Sequence, residues 1–156
     1  MNTNIKITVN DEKVKYRELI KLFLKMSLPS DSDACRIFNY NLRSKKQEKQ
    51  AIKHSTYITA RDKNDHLIGL VRIIGDSTYE HYISEVMVIP ELQNQGIGKK
   101  LIKATLYYCK ENGFIKIFLT AAKGRESYYS KFGFKVTKYN VMKITSENKE
   151  IGLNEK

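Results

Sequence analysis

The stretch "VMVIPELQNQGIGKKLIKA" (residues 86–104) runs from an apolar segment through a proline and a glycine-containing loop into a lysine-bearing amphipathic segment. The short apolar run that ends at Pro90 predicts a β-strand. The apolar residues that follow the loop at helical spacing are Ile97, Leu101, Ala104 and Tyr108. The stretch therefore predicts a strand, a tight loop and a helix in direct succession.

Upstream of this stretch, the sequence predicts a strand, two helices and a hairpin. Residues 5–10 alternate between apolar and polar residues, as a strand does, and Asp11 is the expected N-cap of the first helix. A second helix is expected over roughly residues 33–53. Residues 55–76 then predict two strands joined by a polar turn at residues 63–65.

Downstream of it, residues 114–122 are apolar and rich in β-forming residues, which predicts a buried central strand. Residues 125–132 fit a short helix, and residues 134–144 fit one or two closing strands. Antiparallel hairpins thus precede one strand–helix–strand unit, so we expect an α+β sheet with helices on both faces. We expect one domain over residues 1–145, followed by a polar tail at residues 146–156.

The composition narrows the class of protein. Hydrophobic residues make up 41% and charged residues 29% of the chain, as in soluble globular proteins. No apolar run approaches the roughly 20 residues of a membrane helix, and the N-terminus has no apolar block typical of a secretory signal. Cys35 and Cys109 have no metal-ligand spacing, which favours reduced structural thiols. We therefore expect a cytoplasmic protein with no membrane partner and no metal.

The net charge of +11 favours polyanionic partners such as nucleic acid, anionic lipid or a phosphorylated cofactor. The lysines are spread along the chain, with modest clusters at "SKKQEKQAIK" and "GKKLIK". No recognition-helix pattern with a clear turn glycine accompanies them. We therefore expect no nucleic-acid partner, although a nucleic-acid-binding domain stays an alternative that the charge leaves open.

The loop "QNQGIGKK" (residues 93–100) has the features of an anion site. The first N–H groups of a helix lack partners within the helix, and the helix dipole adds positive charge there. Gly96 and Gly98 would let an anion approach the backbone, and two lysines follow. The spacing excludes a Walker A loop, and Leu101 stands where a dinucleotide loop needs its third glycine.

The wider context identifies a family. The segment V-x-P-E-L-Q-N-Q-G-I-G-K resembles the acyl-CoA-binding motif of the GCN5-related N-acetyltransferase (GNAT) family, usually V-x-P-x-x-R/Q-G-x-G-x-G/A. The block "ESYYSKFGFKV" resembles that family's F/Y-Y-x-K-x-G-F segment, and the resemblance covers roughly residues 55–140. Asn94 stands where the family usually has glycine, but asparagine tolerates a left-handed backbone, so we expect a working loop.

The resemblance implies a mixed, mostly antiparallel GNAT-like sheet in which a splayed strand pair forms the cleft for acetyl-CoA, the co-substrate. It implies that the backbone of Val86, Met87 and Val88 binds the pantetheine and polarises the thioester. The residues that it assigns to the pyrophosphate are Gln93, Asn94, Gln95, Gly96, Ile97, Gly98 and Lys99. The partners implied are acetyl-CoA and an amine acceptor, and a homodimer stays open because dimers are common among relatives.

The same resemblance suggests the catalytic groups. Tyr129 matches the family tyrosine near the sulfur, and a phenol with a pKa of about 10 can protonate a thiolate whose acid has a pKa of about 8.5. Packing as a core aromatic is the alternative for both Tyr128 and Tyr129. Glu85 is the candidate general base, directly or through water, and alternation places it on the same side as His81 and Ile83. An exposed strand-end carboxylate or an ammonium anchor are alternatives for Glu85, and His81 is a second candidate base.

The leading hypothesis is an acetyl-CoA-dependent N-acetyltransferase that moves an acetyl group directly to a primary amine of a small molecule or a protein. The alternative is a non-catalytic acyl-CoA-binding sensor, or an inactive relative that keeps the loop. The regions expected to shape the acceptor site, residues 11–53 and 134–145, carry no motif that names the amine.

Overall fold

A computed structural model of the chain describes residues 4–26, 44–76 and 78–138. These residues form five strands and four helices. In chain order they are β1 (Lys6–Thr8), α1 (Tyr16–Lys25), α2 (Lys45–Lys53), β2 (Thr56–Arg61), β3 (Leu67–Gly75), β4 (Glu80–Val88), α3 (Ile97–Glu111), β5 (Lys116–Leu119) and α4 (Glu126–Ser130). A single 3-10 turn, Pro90–Leu92, stands between β4 and α3. The strand, loop and helix expected in the opening stretch are therefore confirmed.

The strands form one open sheet in the order β1-β2-β3-β4-β5. The first three pairings are antiparallel. The strands β4 and β5 pair in parallel, and the helix α3 connects them along the chain. The turn between β2 and β3 includes Asp65 with a φ of 63°, which confirms the hairpin at the expected position. The mixed, mostly antiparallel sheet is thus confirmed.

Helices cover both faces of the sheet. Consecutive residues of β2 and β3 are buried, Tyr57–Arg61 and Ile68–Ile73, which requires cover on both sides. On one face, a Cβ atom built on Gly69 would stand 3.3 Å from the Leu101 side chain of α3. On the other, Arg61 bonds to the Glu18 carboxylate of α1. We call these two sides the α3 face and the α1 face.

Asp11 corrects one expectation. It does not cap α1, which begins after Lys15, and it is instead a buried acceptor for Thr59 Oγ1 at 2.6 Å and Arg61 Nε at 3.1 Å. Burial alone would raise the pKa of Asp11, but hydrogen bonds from Thr59, the Lys13 N–H and Arg61 together lower it. The predicted cap was wrong because a buried arginine in β2 needs this carboxylate.

Three further predictions, of a helix and of strands, differ from the structure. A continuous helix over 33–53 is wrong, since Ser44 is extended and its hydroxyl accepts from the Gln47 N–H at 3.2 Å to begin α2; residues 33–43 lie outside the described part. The strand β5 is the last strand of the sheet within the described residues; its residues are exposed or half-buried, with Phe118 40% exposed, so the prediction of a buried strand is wrong. Residues 134–138 form no strand, and the rest of the expected closing strands lies outside the described residues.

Candidate active site

The strands β4 and β5 separate part-way along their length. Their pairing runs from Glu80 opposite Lys116 to Ile83 opposite Leu119, where β5 ends. The strand β4 continues to Val88 while it stays paired with β3. The outer half of β4 therefore borders an opening in the sheet, as expected of a splayed strand pair.

A cleft of about 280 Å³ lies at this opening. Its lining residues come from β4, from the loop before α3, from the first turn of α3 and from α4. They are Val86, Val88, Gln93, Asn94, Gly96, Gly98, Lys99, Arg125, Tyr128 and Tyr129. The register pairs Val86 with Val71 and Val88 with Gly69, so the cleft lies on the α3 face.

The loop before α3 has the expected backbone. Asn94 has a φ of 60° and Gly96 a φ of 80°, which confirms that asparagine adopts the left-handed conformation where the family usually has glycine. The side-chain amide of Gln93 donates to the Val88 carbonyl at 2.9 Å, and that of Gln95 donates to the Glu91 carbonyl at 3.2 Å. The two glutamines thus hold the shape of the loop through its own backbone.

The first turn of α3 offers unused donors to the cleft. The first intrahelical bond runs from the Lys100 N–H to the Gly96 carbonyl at 3.1 Å. Among the described residues, the N–H groups of Ile97, Gly98 and Lys99 have no acceptor. These donors, the helix dipole and the nearby lysine together favour an anionic group at this position.

Three of the predicted cofactor-binding residues do not line the cleft with their side chains. Met87 and Ile97 are buried in the core, each 1% exposed. Gln95 is exposed and faces the Glu91 carbonyl. For Met87 and Ile97 only a backbone contact with a ligand is compatible with the geometry, and a ligand contact of any of the three residues stays a prediction.

Two tyrosines of α4 close the cleft on the side of β5. Tyr128 and Tyr129 stand edge to face, with ring centroids 5.2 Å apart, and Tyr129 contacts Phe134 in the same way. Burial raises the pKa of both phenols; for Tyr129, Tyr128 raises it further while the charge of Arg125 lowers it. Both hydroxyls therefore stay protonated at neutral pH and can act as donors.

Glu85 lies on the other face of the sheet. Arg72 pairs with Glu85 and Ile73 with Ile83, so Ser84 is an extra residue that forms a β-bulge. Ile83 consequently shares the α3 face with Ile73, whereas Glu85 shares the α1 face with Arg72. The expectation that Glu85 lies on the same side as Ile83 and His81 is wrong, because the bulge reverses the alternation.

The surroundings of Glu85 and His81 narrow their roles. Glu85 is 2% exposed and accepts hydrogen bonds from Arg72 Nη1 at 3.3 and 3.4 Å, so it is not an exposed strand-end carboxylate. His81 is buried at the far end of β4, stacked on Phe114 and opposite Gly75. Burial lowers the pKa of His81, which keeps it neutral. The structure does not bring His81 together with Tyr129.

Most of the chain matches known proteins. A family model described as an acetyltransferase (GNAT) domain matches residues 23–144. The chain belongs to the GNAT acetyltransferase family. It is 26% identical over 128 residues to the uncharacterized N-acetyltransferase ycf52 of Pyropia yezoensis, which covers 79% of this chain and 74% of that protein. As a member of this family, the chain is an acyltransferase.

Solved GNAT structures share its fold. The GNAT family acetyltransferase SP0256 from Streptococcus pneumoniae TIGR4 superposes with a TM-score of 0.67 at 23% identity, over 91% of this chain and 98% of that one. A GNAT family acetyltransferase from Elizabethkingia anophelis, solved with acetyl-CoA bound, superposes with a TM-score of 0.58 at 22% identity, over 86% of this chain and 78% of that one. The GNAT-like α+β fold is therefore confirmed.

The sequence motifs did not predict a role for two cations, one that lines the cleft and one that bonds to Glu85. Arg125 lines the cleft directly before α4, and its place next to the second motif block was the available signal. Arg72 pairs with Glu85, and its signal was a single cation within the apolar run "LIGLVRIIG".

In the described ranges, no three His, Cys, Asp or Glu side chains converge as metal ligands do, and none of the helices there is long and apolar enough to cross a bilayer.

Proposed function

We propose that this GNAT acetyltransferase transfers the acetyl group of acetyl-CoA directly to a primary amine of a small molecule or a protein. One observation carries the proposal: the opening between β4 and β5 joins the free N–H groups of α3 to the hydroxyl-bearing side chain of Tyr129 in a single cleft. A thioester that carries phosphates requires a site that binds an anion at one end and offers a proton donor at the other.

The donor end of the cleft suits the phosphates of CoA. The pyrophosphate would accept hydrogen bonds from the first turn of α3, and Lys99 and Arg125 would add positive charge. The pantetheine arm would extend along Val86, Met87 and Val88, whose edge has no β5 partner. Its amides can pair with that edge as an added strand does. The fixed backbone donors would also polarise the thioester carbonyl.

The reaction requires a defined movement of protons. The acceptor ammonium loses a proton, its nitrogen attacks the thioester carbon, and a tetrahedral oxyanion forms. A second proton leaves the nitrogen, the carbon–sulfur bond breaks, and the thiolate takes up one proton as CoA departs. One proton in all is released to solvent. No metal is needed in any step.

The two proposed catalytic residues suit these steps. Tyr129 keeps its proton, because burial raises its pKa, and so it can donate to the departing thiolate. Glu85 is the proposed base, directly or through water, or else the anchor of the ammonium. It lies on the α1 face beside the opening, so the amine would approach from the face opposite the CoA arm. The position of His81 at the far end of β4 favours Glu85 over it.

Titration and turnover together test the proposal. Isothermal titration with acetyl-CoA, beside a CoA-release assay over a panel of primary amines, should show binding and acetyl-CoA-dependent release with at least one amine. Acetyl-CoA binding without release on any amine would favour the non-catalytic sensor. A lack of acetyl-CoA binding would remove the assignment of the cleft.

A further inference from the structure

A chain of buried and partly buried hydrogen bonds leads from α2 to Glu85. Arg72 Nη1 donates to both Glu85 oxygens, at 3.3 and 3.4 Å, and Arg72 Nε donates to Ser55 Oγ at 2.9 Å. Ser55 Oγ in turn donates to the Ala51 carbonyl in the last turn of α2 at 2.7 Å. We call Ala51, Ser55, Arg72 and Glu85 the relay. It joins a helix end to the strand that borders the cleft.

Stability alone is a weak reason for such an arrangement. The side chains of Arg72 and Glu85 are only 10% and 2% exposed, so both charges have left water. A well-packed apolar pair of similar volume is often as stable as a buried ion pair. The neighbours of Arg72 in β3 are apolar and would suit such a pair. The charges are therefore better explained by what Glu85 does than by packing.

The geometry of Arg72 limits the movement of Glu85. The guanidinium is planar and uses different nitrogens for Ser55 and for Glu85, so it cannot rotate without losing one of them. The bulge at Ser84 turns Glu85 to the α1 face directly before Val86, a residue of the cleft. The carboxylate is thus held in one orientation next to the opening.

We propose that Arg72 is a positioning residue for acetyl transfer, which acts by holding Glu85 where the acceptor amine arrives, with Ser55 fixing Arg72 in turn. This inference rests on the proposed function. Glu85 is the group that meets the amine, as base or as ammonium anchor, and Arg72 touches neither substrate. A carboxylate misplaced by even about 1 Å can cost a large factor in rate.

Conservative variants separate orientation from charge. Arg72→Lys keeps the cation but loses the fork, and we expect kcat to fall about 10- to 100-fold with the KM for acetyl-CoA unchanged. Ser55→Ala should lower kcat by a smaller factor, whereas Ser55→Thr, which keeps the hydroxyl, should retain most of the wild-type kcat. Thermal melts and acetyl-CoA titration of each variant show whether the fold and the donor site persist.

A cycle with Glu85→Gln decides whether Arg72 acts through Glu85. If it does, Arg72→Lys in the Glu85→Gln background lowers kcat no further. Should the lone Arg72 charge left by Glu85→Gln unfold the protein, Arg72→Met with Glu85→Gln removes both charges and serves as the background, in which Ser55→Ala should lower kcat no further. If the wild type is active, any one of three results would overturn the inference. These are losses in kcat that multiply in the double variant, an unchanged kcat in Arg72→Lys, or an unchanged kcat in Glu85→Gln. A wild-type protein that fails to bind acetyl-CoA or release CoA would instead refute the proposed function itself.

Discussion

The contact between Gly98 and Tyr128 gives a prediction whose size follows from the geometry. A Cβ atom built on Gly98 stands 2.9 Å from the Tyr128 hydroxyl oxygen, closer than van der Waals contact allows. The Tyr128 ring packs edge to face on Tyr129 and Phe132, with centroids 5.2 and 5.4 Å away. Because these rings restrict its movement, we expect Gly98→Ala to overpack this wall of the cleft.

Two effects of opposite sign act in Gly98→Ala. Overpacking costs about 1–3 kcal/mol, whereas alanine in place of glycine in a helix gains up to about 1 kcal/mol. The free energy of unfolding should therefore fall by about 0–3 kcal/mol. In a Tyr128→Phe background the nearest remaining atoms lie 3.9 Å from the new Cβ, an ordinary contact, so only the gain should remain. The coupling between the two substitutions is then the overpacking cost, about 1–3 kcal/mol.

Urea unfolding of the wild type, both single variants and the double variant measures this coupling. Equal m-values across the four proteins would show that the unfolded states are comparable. Acetyl-CoA titration of the same proteins should show weaker binding in Gly98→Ala. If Gly98→Ala changes stability equally in both backgrounds, the Tyr128 hydroxyl does not stand over Gly98 and the reasoning fails.

The other predictions concern the proton donor, the loop and a buried carboxylate cluster. Tyr129→Phe should lower kcat by about 10²-fold with little change in the Kd of acetyl-CoA, and full turnover would leave Tyr129 a packing role. Gly96→Val should raise that Kd at least about tenfold; Gly113→Val, at the equally open left-handed glycine after α3, should lower stability without changing Kd, and equal Kd values in both variants would remove the loop from the site. Burial alone would raise the pKa values of Asp11 and Glu18, but their hydrogen bonds lower them below the ordinary 3.8 and 4.5. Their stabilisation is thus complete above those values and is lost as the pH falls through the lower folded ones. In urea melts across this range Asp11→Asn should flatten the acid loss, and an unchanged slope would contradict the cluster's role.

The anion end of the site could be predicted because its determinants are local. The left-handed turns at Asn94 and Gly96, the start of α3 and the free N–H groups all follow from neighbouring residues. Residue type at each position there limits the backbone directly, since asparagine and glycine tolerate positive φ. The two motif blocks then supplied the second wall of the cleft, where Tyr128 and Tyr129 stand.

The acceptor side could not be predicted in the same way, because its determinants are distant in sequence. A period of two residues cannot show that Ser84 is inserted opposite β3, yet this one residue decides which face Glu85 occupies. The partner of Glu85 is 13 residues away, and the partner of Asp11 in β2 is 50 residues away. Only the assembled sheet brings these charges together.

The opening between β4 and β5 has a consequence for the traffic of molecules through the enzyme. In the proposed arrangement, the CoA arm occupies the α3 face and the amine arrives on the α1 face, so the sheet separates the two substrates except at the opening between β4 and β5. Each substrate then enters from its own face of the sheet, and each product leaves from the face at which the corresponding substrate entered. A compound that blocks the site on one face leaves the site on the other face accessible, so inhibitors of the two sites can bind to the enzyme together.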